Sequence, residues 1–421
     1  MNPDTPSTPA GGPPDWPDRL LDQMTQTADP LADDTVAALS HRGGIAAVNA
    51  LWNHLLMNDE LMPPDAPAEL KAYLDQSARF PIWVDLALVR QAEAFFERNG
   101  PLCLVSLLCA GLPECYALKN EAAVLATTLQ LEQHAYRRIF ETTQLVVAVM
   151  RQGGMNPSGE GIKATQKVRL LHATIRHLIL SPRAAHDSEA APKSFAGAVP
   201  GSLSWDTAAA GQPINQEQIA YTLLTFSYVI LRSFERLEIP VTKQEQAAFF
   251  HCWNVVGSLM GVREELLAFN FEDGARLFSK IKARHMRVSD DGRNLTQALT
   301  RISREIIQHG TTGFVPRLFV KKLPAVIMRL LLDKPTRKTL QLRWLGPGEW
   351  LLLGLFRLLV AISSTGYQWL LCFGGTRFAT AIISRLTKIS RGRRPLFALP
   401  EHLAKAWRGG YLRSRHHASE T

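Results

Sequence analysis

Helical periodicity dominates the chain from Asp34 to about residue 345 and limits the fold to a helical one. Apolar residues recur there three or four positions apart, with little of the Val, Ile and Thr alternation that strands show. Gly100-Pro101 and Gly153-Gly154 punctuate the pattern. We therefore predict an all-α fold, with many helices in a single domain. The predicted helices are 34–40, 45–58, 66–77, 86–100, 101–111, 121–150, 163–180, 216–238, 243–260, 263–283, 293–309 and 316–332.

Composition divides the 421 residues into three parts. Residues 1–35 are rich in proline, and we predict a flexible leader there. Residues 36–345 form the helical domain. Residues 346–421 are apolar and then basic, and 358–376 is a run of 19 uncharged residues, close to the roughly 20 that span a bilayer. Polar residues within this run, and basic residues on both sides of it, leave three interpretations open: buried helices, a hairpin on a membrane surface, or a membrane span.

The net charge of +9 is unevenly distributed along the chain. Residues 311–421 contain 19 Lys and Arg against 4 Asp and Glu, a net charge of +15, so the first 310 residues sum to −6. A basic tail predicts an anionic partner, either a membrane surface or a nucleic acid. The basic residues are not interleaved with the aromatic residues that single-strand binders use, which favours the membrane and predicts no nucleic acid partner.

Cysteine usage and the amino terminus bear on the cellular compartment. The five cysteines form no CxxC pair, which argues against a disulfide framework or a zinc ribbon and favours a reducing compartment. The first residues are acidic and proline-rich, unlike a secretory signal. We therefore expect a cytoplasmic protein, peripheral to the inner face of the membrane and not secreted.

The predicted helix at residues 167–180 carries a histidine beside its apolar face. His172 lies just inside the edge of that face, Arg169 and Arg176 flank it on the same side, and His177 points away. One imidazole between two guanidiniums, beside an apolar surface, fits haem: the imidazole binds the iron and the arginines bind the propionates. The alternative is an ordinary hydrogen-bonded core or surface histidine. The apolar stripe comprises Val168, Leu171, Ile175 and Ile179.

A second helix, residues 131–149, places polar residues in an apolar row. Arg138 and Thr142 share the row of Leu131, Leu145 and Val149, and Glu141 borders it. A buried arginine is costly unless it is paired or lines a polar pocket. One interpretation is therefore a buried ion pair between Arg138 and Glu141. The other is the wall of a distal pocket, where Arg138 and Thr142 position oxygen.

Six short motifs occur in order along the chain. They are Leu112-Pro113-Glu114-x-Tyr116, Arg138-x-x-Glu141-Thr142, Val168-Arg169-x-x-His172-Ala173-x-x-Arg176, Pro213-Ile214-Asn215-Gln216-Glu217, Thr222-Leu-Leu-x-Phe226-Ser227 and Trp253-x-Val-Val-Gly257-x-x-x-Gly261-Val262. Together they resemble the catalytic domain of rubber oxygenases, the latex-clearing proteins, a family that includes the ER-bound oxygenases of fungal mycophenolate biosynthesis. The resemblance covers roughly residues 40 to 310, and the combination is more specific than any single motif.

The resemblance implies a globin-like core with one haem b. His172 would be the proximal ligand of the iron, Arg138 and Thr142 would be distal residues, and Glu121 is the nearest candidate for the family's pocket base. The family cleaves carbon–carbon double bonds of isoprenoid chains with dioxygen. This sequence departs from the family pattern at Glu141, where latex-clearing enzymes carry a distal lysine. A carboxylate cannot replace a neutral amine as sixth ligand, so the resting coordination of the iron is expected to differ.

Three functional hypotheses follow. The first is a haem-dependent oxygenase, an iron enzyme that uses dioxygen to cleave a C=C bond in an apolar isoprenoid or lipid. The second is a non-catalytic haem- or lipid-binding protein at a membrane surface. The third, which the sequence favours least, is a helical scaffold or a nucleic-acid-binding protein that uses the basic tail. His251 and Cys252 suggest a metal pair, but neighbouring residues on a helix point about 100° apart, which favours a core histidine. The sequence contains no GxGxxG, Walker, HExxH or GxSxG motif.

Overall fold

A computed structural model describes residues 15–57, 67–129, 135–157, 159–180, 204–310 and 322–343, and beyond these only 346–348, 350–351 and 354. Within this part of the chain the fold is all-α, as predicted, and contains no strand. The first eight helices are α1 (Asp18–Thr25), α2 (Pro30–Met57), α3 (Ala68–Ser77), α4 (Leu86–Ser106), α5 (Leu112–Tyr116), α6 (Lys119–Leu129), α7 (Ala135–Met150) and α8 (Glu160–Leu180).

The remaining helices include the most deeply buried one. They are α9 (Thr207–Ala210), α10 (Gln216–Phe226), α11 (Tyr228–Arg236), α12 (Lys243–Leu259), α13 (Phe271–His285), α14 (Asp290–Gly310), α15 (Leu323–Leu331) and α16 (Lys334–Thr339). Ten of the eleven residues of α10 are buried, as is typical of a helix enclosed on all sides. A capping box at Asn215 and Gln218 begins it. Helix α12 packs along α4, and α2 and α7 pack along α8.

The first helices correct the predicted leader. Leu21 and Met24 of α1 are buried in the main core, and the indole Nε1 of Trp16 donates a hydrogen bond to the carbonyl oxygen of Glu265 at 2.8 Å. Pro30 begins α2 at a position where its missing N–H costs nothing. The leader prediction is therefore wrong for residues 15–35, because three apolar side chains suffice to anchor a proline-rich segment. Residues 1–14 lie outside the described residues.

Predicted helix boundaries also differ from the structure. Helix α4 continues through Pro101, and a π-helical turn at Leu107–Gly111 follows it. Every residue from Gly100 to Gly111 is buried, so tertiary packing on all sides offsets the hydrogen bond that proline removes. Of the helix predicted at 121–150, the structure describes α6 up to Leu129 and α7 from Ala135, and residues 130–134 lie outside the described part.

The predicted membrane-contact region, residues 346–421, lies almost entirely outside the described residues. In the part of the chain that the structure describes, no helix is both long enough and apolar enough to cross a membrane.

Candidate functional site

Helices α7 and α8 form an antiparallel hairpin that frames the site. Turns at residues 151–157 follow α7: the N–H of Gly161 donates to the carbonyl of Gly154 at 2.9 Å, and Glu93 Oε2 accepts from the N–H of Gly153 at 3.0 Å. Thr142 lies eight residues before the end of α7, and His172 lies twelve residues after the start of α8. At about 1.5 Å per residue these positions are roughly 12 and 18 Å from the turn. Thr142 and His172 therefore lie about one helical turn apart along the axis of the helix pair.

The face of α8 that carries His172 is partly open midway along the helix. Val168, Leu171 and His172 are half-buried, whereas Ile175 and Ile179 farther along the same stripe are buried. The Nδ1 atom of His172 is shielded from solvent. An imidazole on a partly open apolar face fits a ligand of haem iron, because the macrocycle supplies the other ligands and covers apolar surface.

The predicted distal residues of α7 differ in burial from the apolar residues of the same helix. Leu145 and Val149 of the predicted row are buried, and Glu141 and Thr142 are half-buried. The half-buried pair fits a pocket wall. The side chain of Arg138 lies outside the described residues, so both interpretations of it, the ion pair with Glu141 and the distal role, stay predictions.

Arg169 is held by a carboxylate that the sequence did not indicate. Its Nε and Nη2 atoms donate to the two carboxylate oxygens of Asp29 at 2.6 and 2.7 Å, and Nη1 donates to the carbonyl of Leu259 at 3.0 Å. Both side chains are buried, and such a two-pronged pair is strong and directional. Arg169 therefore ties α8 to the segment before α2 and to the end of α12.

Arg176 makes the corresponding contacts seven residues along α8. Its Nη1 atom contacts the carboxylate of Asp33, and Nε and Nη2 donate to the carbonyls of Pro213 and Ile214, each at 2.8 Å. Ile214 has a φ of 53°, a conformation that a β-branched residue rarely adopts. The contact with Arg176 stabilises this strained turn, which leads into α10.

These contacts bear on the role predicted for the two arginines. Each guanidinium already has two or three protein acceptors, and each faces a carboxylate that neutralises its charge. The arrangement gives Arg169 and Arg176 a structural role, and their binding of haem propionates stays a prediction. No signal in the sequence links Asp29 to Arg169, which is 140 residues away.

Glu121 lies in a buried group of hydroxyl and thiol side chains. Thr222 Oγ1 lies 2.7 Å from Glu121 Oε1 and 2.9 Å from the carbonyl of Gln218, so its single proton serves these two acceptors. Burial, and then the charge of Glu121, raise the pKa of the Cys115 thiol well above its ordinary value. Cys115 therefore stays protonated beside the carboxylate. The sequence pointed to Glu121 through the family resemblance but missed Thr222 and Cys115 as its neighbours.

His251 is a core histidine, as predicted. Its Nε2 accepts a hydrogen bond from the N–H of Asp85 at 2.9 Å, and burial lowers its pKa. Within the described residues, no group of three His, Cys, Asp or Glu side chains converges on one metal position.

The family assignment comes from sequence comparison. Residues 98–364, more than half of the chain, match the family described as "ER-bound oxygenase mpaB/B'/Rubber oxygenase, catalytic domain". The chain belongs to this family. A rubber oxygenase from Streptomyces sp. (strain K30) is 24% identical over 282 residues, which are 66% of this chain. That match covers 64% of the relative's length, slightly less than two thirds.

Comparison with solved structures confirms the fold. The chain is similar to a structure titled "Structure of Latex Clearing Protein LCP in the closed state", with a TM-score of 0.65 and 22% sequence identity. The similarity covers 85% of this chain and 90% of the other. The predicted all-α, globin-like architecture is thereby confirmed.

Proposed function

We propose that the protein is a haem b-dependent oxygenase that uses dioxygen to cleave a C=C bond in an apolar isoprenoid or lipid. The observation that carries the proposal is His172, half-buried on the apolar face of α8 within a chain of this oxygenase family. When bound, haem supplies the iron that activates dioxygen. His172 would hold the iron from the proximal side.

The residues of α7 and α6 provide the remaining polar groups. Thr142 presents a hydroxyl that can donate a hydrogen bond at the distal side, and Glu141 presents a carboxylate beside it. Glu121 would accept a proton from the substrate, with Thr222 holding its Oε1 atom in place. The apolar residues around them would exclude water from the pocket. A substrate without charge suits such a lining, because a charged group would lose its hydration there.

An absorption spectrum of the purified full-length protein, oxidised and reduced with dithionite, tests the cofactor. We expect a Soret band that shifts on reduction and that His172→Ala abolishes or displaces. His251→Gln is the matched control, because it replaces a buried histidine on α12 whose Nε2 atom already binds a backbone N–H. A preparation without a Soret band, or full haem content in His172→Ala, would contradict the proposal.

Turnover separates the oxygenase from a non-catalytic haem- or lipid-binding protein. The protein is incubated with polyisoprene, shorter isoprenoids and unsaturated lipids, with and without dioxygen, and carbonyl products are measured. Products that require dioxygen and vanish in His172→Ala support cleavage. Bound haem without products from any alkene supports the non-catalytic alternative. Retention on anionic vesicles at physiological salt tests the proposed membrane contact of the basic C-terminal region.

A further inference from the structure

Three separate segments hold α8 on one side, through Arg169 and Arg176. The segment before α2 contributes Asp29, and α2 itself contributes Asp33. The end of α12 and the turn before α10 contribute three backbone carbonyls, from Leu259, Pro213 and Ile214. The two arginines are seven residues apart, so they grip α8 at two levels about 10 Å apart. A helix held at two levels can neither rotate nor slide without breaking buried ion pairs.

The segment that contains Asp29 and Asp33, residues 25–33, is itself fixed to the core. The N–H of Gln212 donates to the carbonyl of Thr25 at 2.8 Å, and the N–H of Gln216 donates to the carbonyl of Thr27 at 2.9 Å. The side-chain amide of Gln216 binds the carbonyls of Ala28 and Gly261, both at 2.8 Å. Asp29 therefore belongs to a rigid frame. Asp29 holds Arg169 in a fixed position and does not move with the arginine.

His172 lies between the two gripped levels. It follows Arg169 by three residues and precedes Arg176 by four, so it shares their side of the helix. A side chain extends roughly 6 Å from the helix axis, and a 10° rotation of α8 therefore displaces the imidazole by about 1 Å. Functional groups need to be held within about 0.5 Å and 10–20° of their working geometry.

We propose that Asp29 and Asp33 are positioning residues for His172. They fix the rotation and height of α8 through Arg169 and Arg176 and so aim the imidazole at the iron. Both aspartates precede residue 98, where the match to the family's catalytic domain begins, so in this proposal the segment at residues 25–33 contributes to the site from outside the matched range. This inference rests on the proposed function, because it takes His172 as the iron ligand.

The test compares Asp33→Asn with Asp333→Asn. Asp33 is 27% exposed and faces Arg176, and Asp333 is 31% exposed and faces Lys282 on α13 at 2.7 Å. Each aspartate also accepts a backbone N–H near the start of its own helix. Each substitution therefore removes one half-exposed carboxylate from a cation that keeps other acceptors: Arg176 keeps two backbone carbonyls, and Lys282 keeps the carboxylate of Glu114. Asp29→Asn is the stronger variant, and Asp33→Asn remains informative if Asp29→Asn fails to fold.

The first readout is the haem spectrum of the purified proteins. We expect Asp33→Asn to hold haem about 10- to 100-fold more weakly, the usual effect of losing a group that orients a metal ligand. Its electron paramagnetic resonance spectrum should show a mixture of axial coordination states. Asp333→Asn should keep the wild-type spectrum. Wild-type spectra and haem affinity in both Asp29→Asn and Asp33→Asn would overturn the inference.

The second readout does not depend on haem. Amide hydrogen exchange of α8 should be at least about tenfold faster in Asp29→Asn and Asp33→Asn, and unchanged in Asp333→Asn. Unchanged exchange in α8 would overturn the inference whatever the spectra show. If His172→Ala keeps its haem while α8 exchange rises in the aspartate variants, the proposed function fails but the clamp on α8 is supported.

Discussion

Gly261→Ala is expected to weaken the ion pair between Arg169 and Asp29 without touching either residue. Gly261 has a φ of 86° and ends α12 in a Schellman motif: its N–H donates to Ser258, and the N–H of Val262 donates to Gly257. A Cβ atom at residue 261 would lie 2.8 Å from three atoms of the Arg169 guanidinium. The guanidinium would have to move, although it is buried and bonded at all three nitrogens.

The magnitude follows from two contributions. An alanine in the left-handed conformation costs about 1–2 kcal/mol. Displacing Arg169 adds a second cost, whose upper limit is that of breaking a buried ion pair, about 3–5 kcal/mol. Any contact of Arg169 that survives the shift reduces this second cost. We therefore expect Gly261→Ala to lower the free energy of unfolding by about 2–5 kcal/mol, measured by urea denaturation.

Gly153→Ala provides the matched control. Gly153 has a φ of 73°, but a Cβ atom there would meet only the side chain of Asn156, which is exposed and can move. This variant should therefore show the backbone strain alone, about 1–2 kcal/mol. The excess cost of Gly261→Ala should also disappear when Arg169→Met removes the guanidinium. A cost no greater than that of Gly153→Ala, or one that is additive with Arg169→Met, would refute this reasoning.

Three further substitutions test single features of the core. His251→Gln should flatten the pH dependence of stability below pH 6.5. Burial lowers the pKa of this histidine in the folded state, so between the two pKa values only the unfolded chain gains a proton. The wild type therefore loses at most about 1.4 kcal/mol of stability per pH unit as the pH falls. Denaturation at pH 7 and pH 5 checks it, and equal slopes in both proteins would contradict it. Tyr221→Phe should be neutral or stabilising in thermal denaturation, because the buried hydroxyl makes no hydrogen bond among the described residues. Glu114→Gln should cost about 3–5 kcal/mol in urea denaturation, because it leaves Arg232 buried without its carboxylate and Lys282 paired with Asp333 alone; a loss below about 1 kcal/mol would contradict it.

The helices were predictable from the sequence because their signal is local. An apolar residue every three or four positions identifies a helix without knowledge of its neighbours, and the all-α fold follows from many such segments. The predicted helix boundaries are wrong where packing against residues distant in sequence overrides a local helix-ending signal. Pro101 normally ends a helix, yet α4 continues through it because that stretch is buried on all sides.

The role of the two arginines was not predictable for a different reason. Their flanking of His172 suggested binding of an anion, and the anion is present, but it belongs to the protein itself. Asp29 and Asp33 lie about 140 residues earlier, in a proline-rich segment whose composition suggests a flexible leader. A single sequence contains no pairing signal across that distance. Trp16, Leu21 and Met24, which anchor the segment, are too few and too close together to show a helical period.

The two sides of the site differ in how far a substitution can change chemistry without changing the fold. On α8, Arg169 faces the buried carboxylate of Asp29 and Arg176 faces the half-buried carboxylate of Asp33, so replacing either arginine leaves an unpaired charge. On α7 the packing is carried by buried residues that include Ile139, Leu145 and Val149, whereas Glu141 is half-buried. Under the proposed function, a carboxylate in place of the family's lysine would alter the distal pocket while α7 keeps its packing. The departure would then bear on substrate and oxygen chemistry, and not on whether the chain folds as its family does.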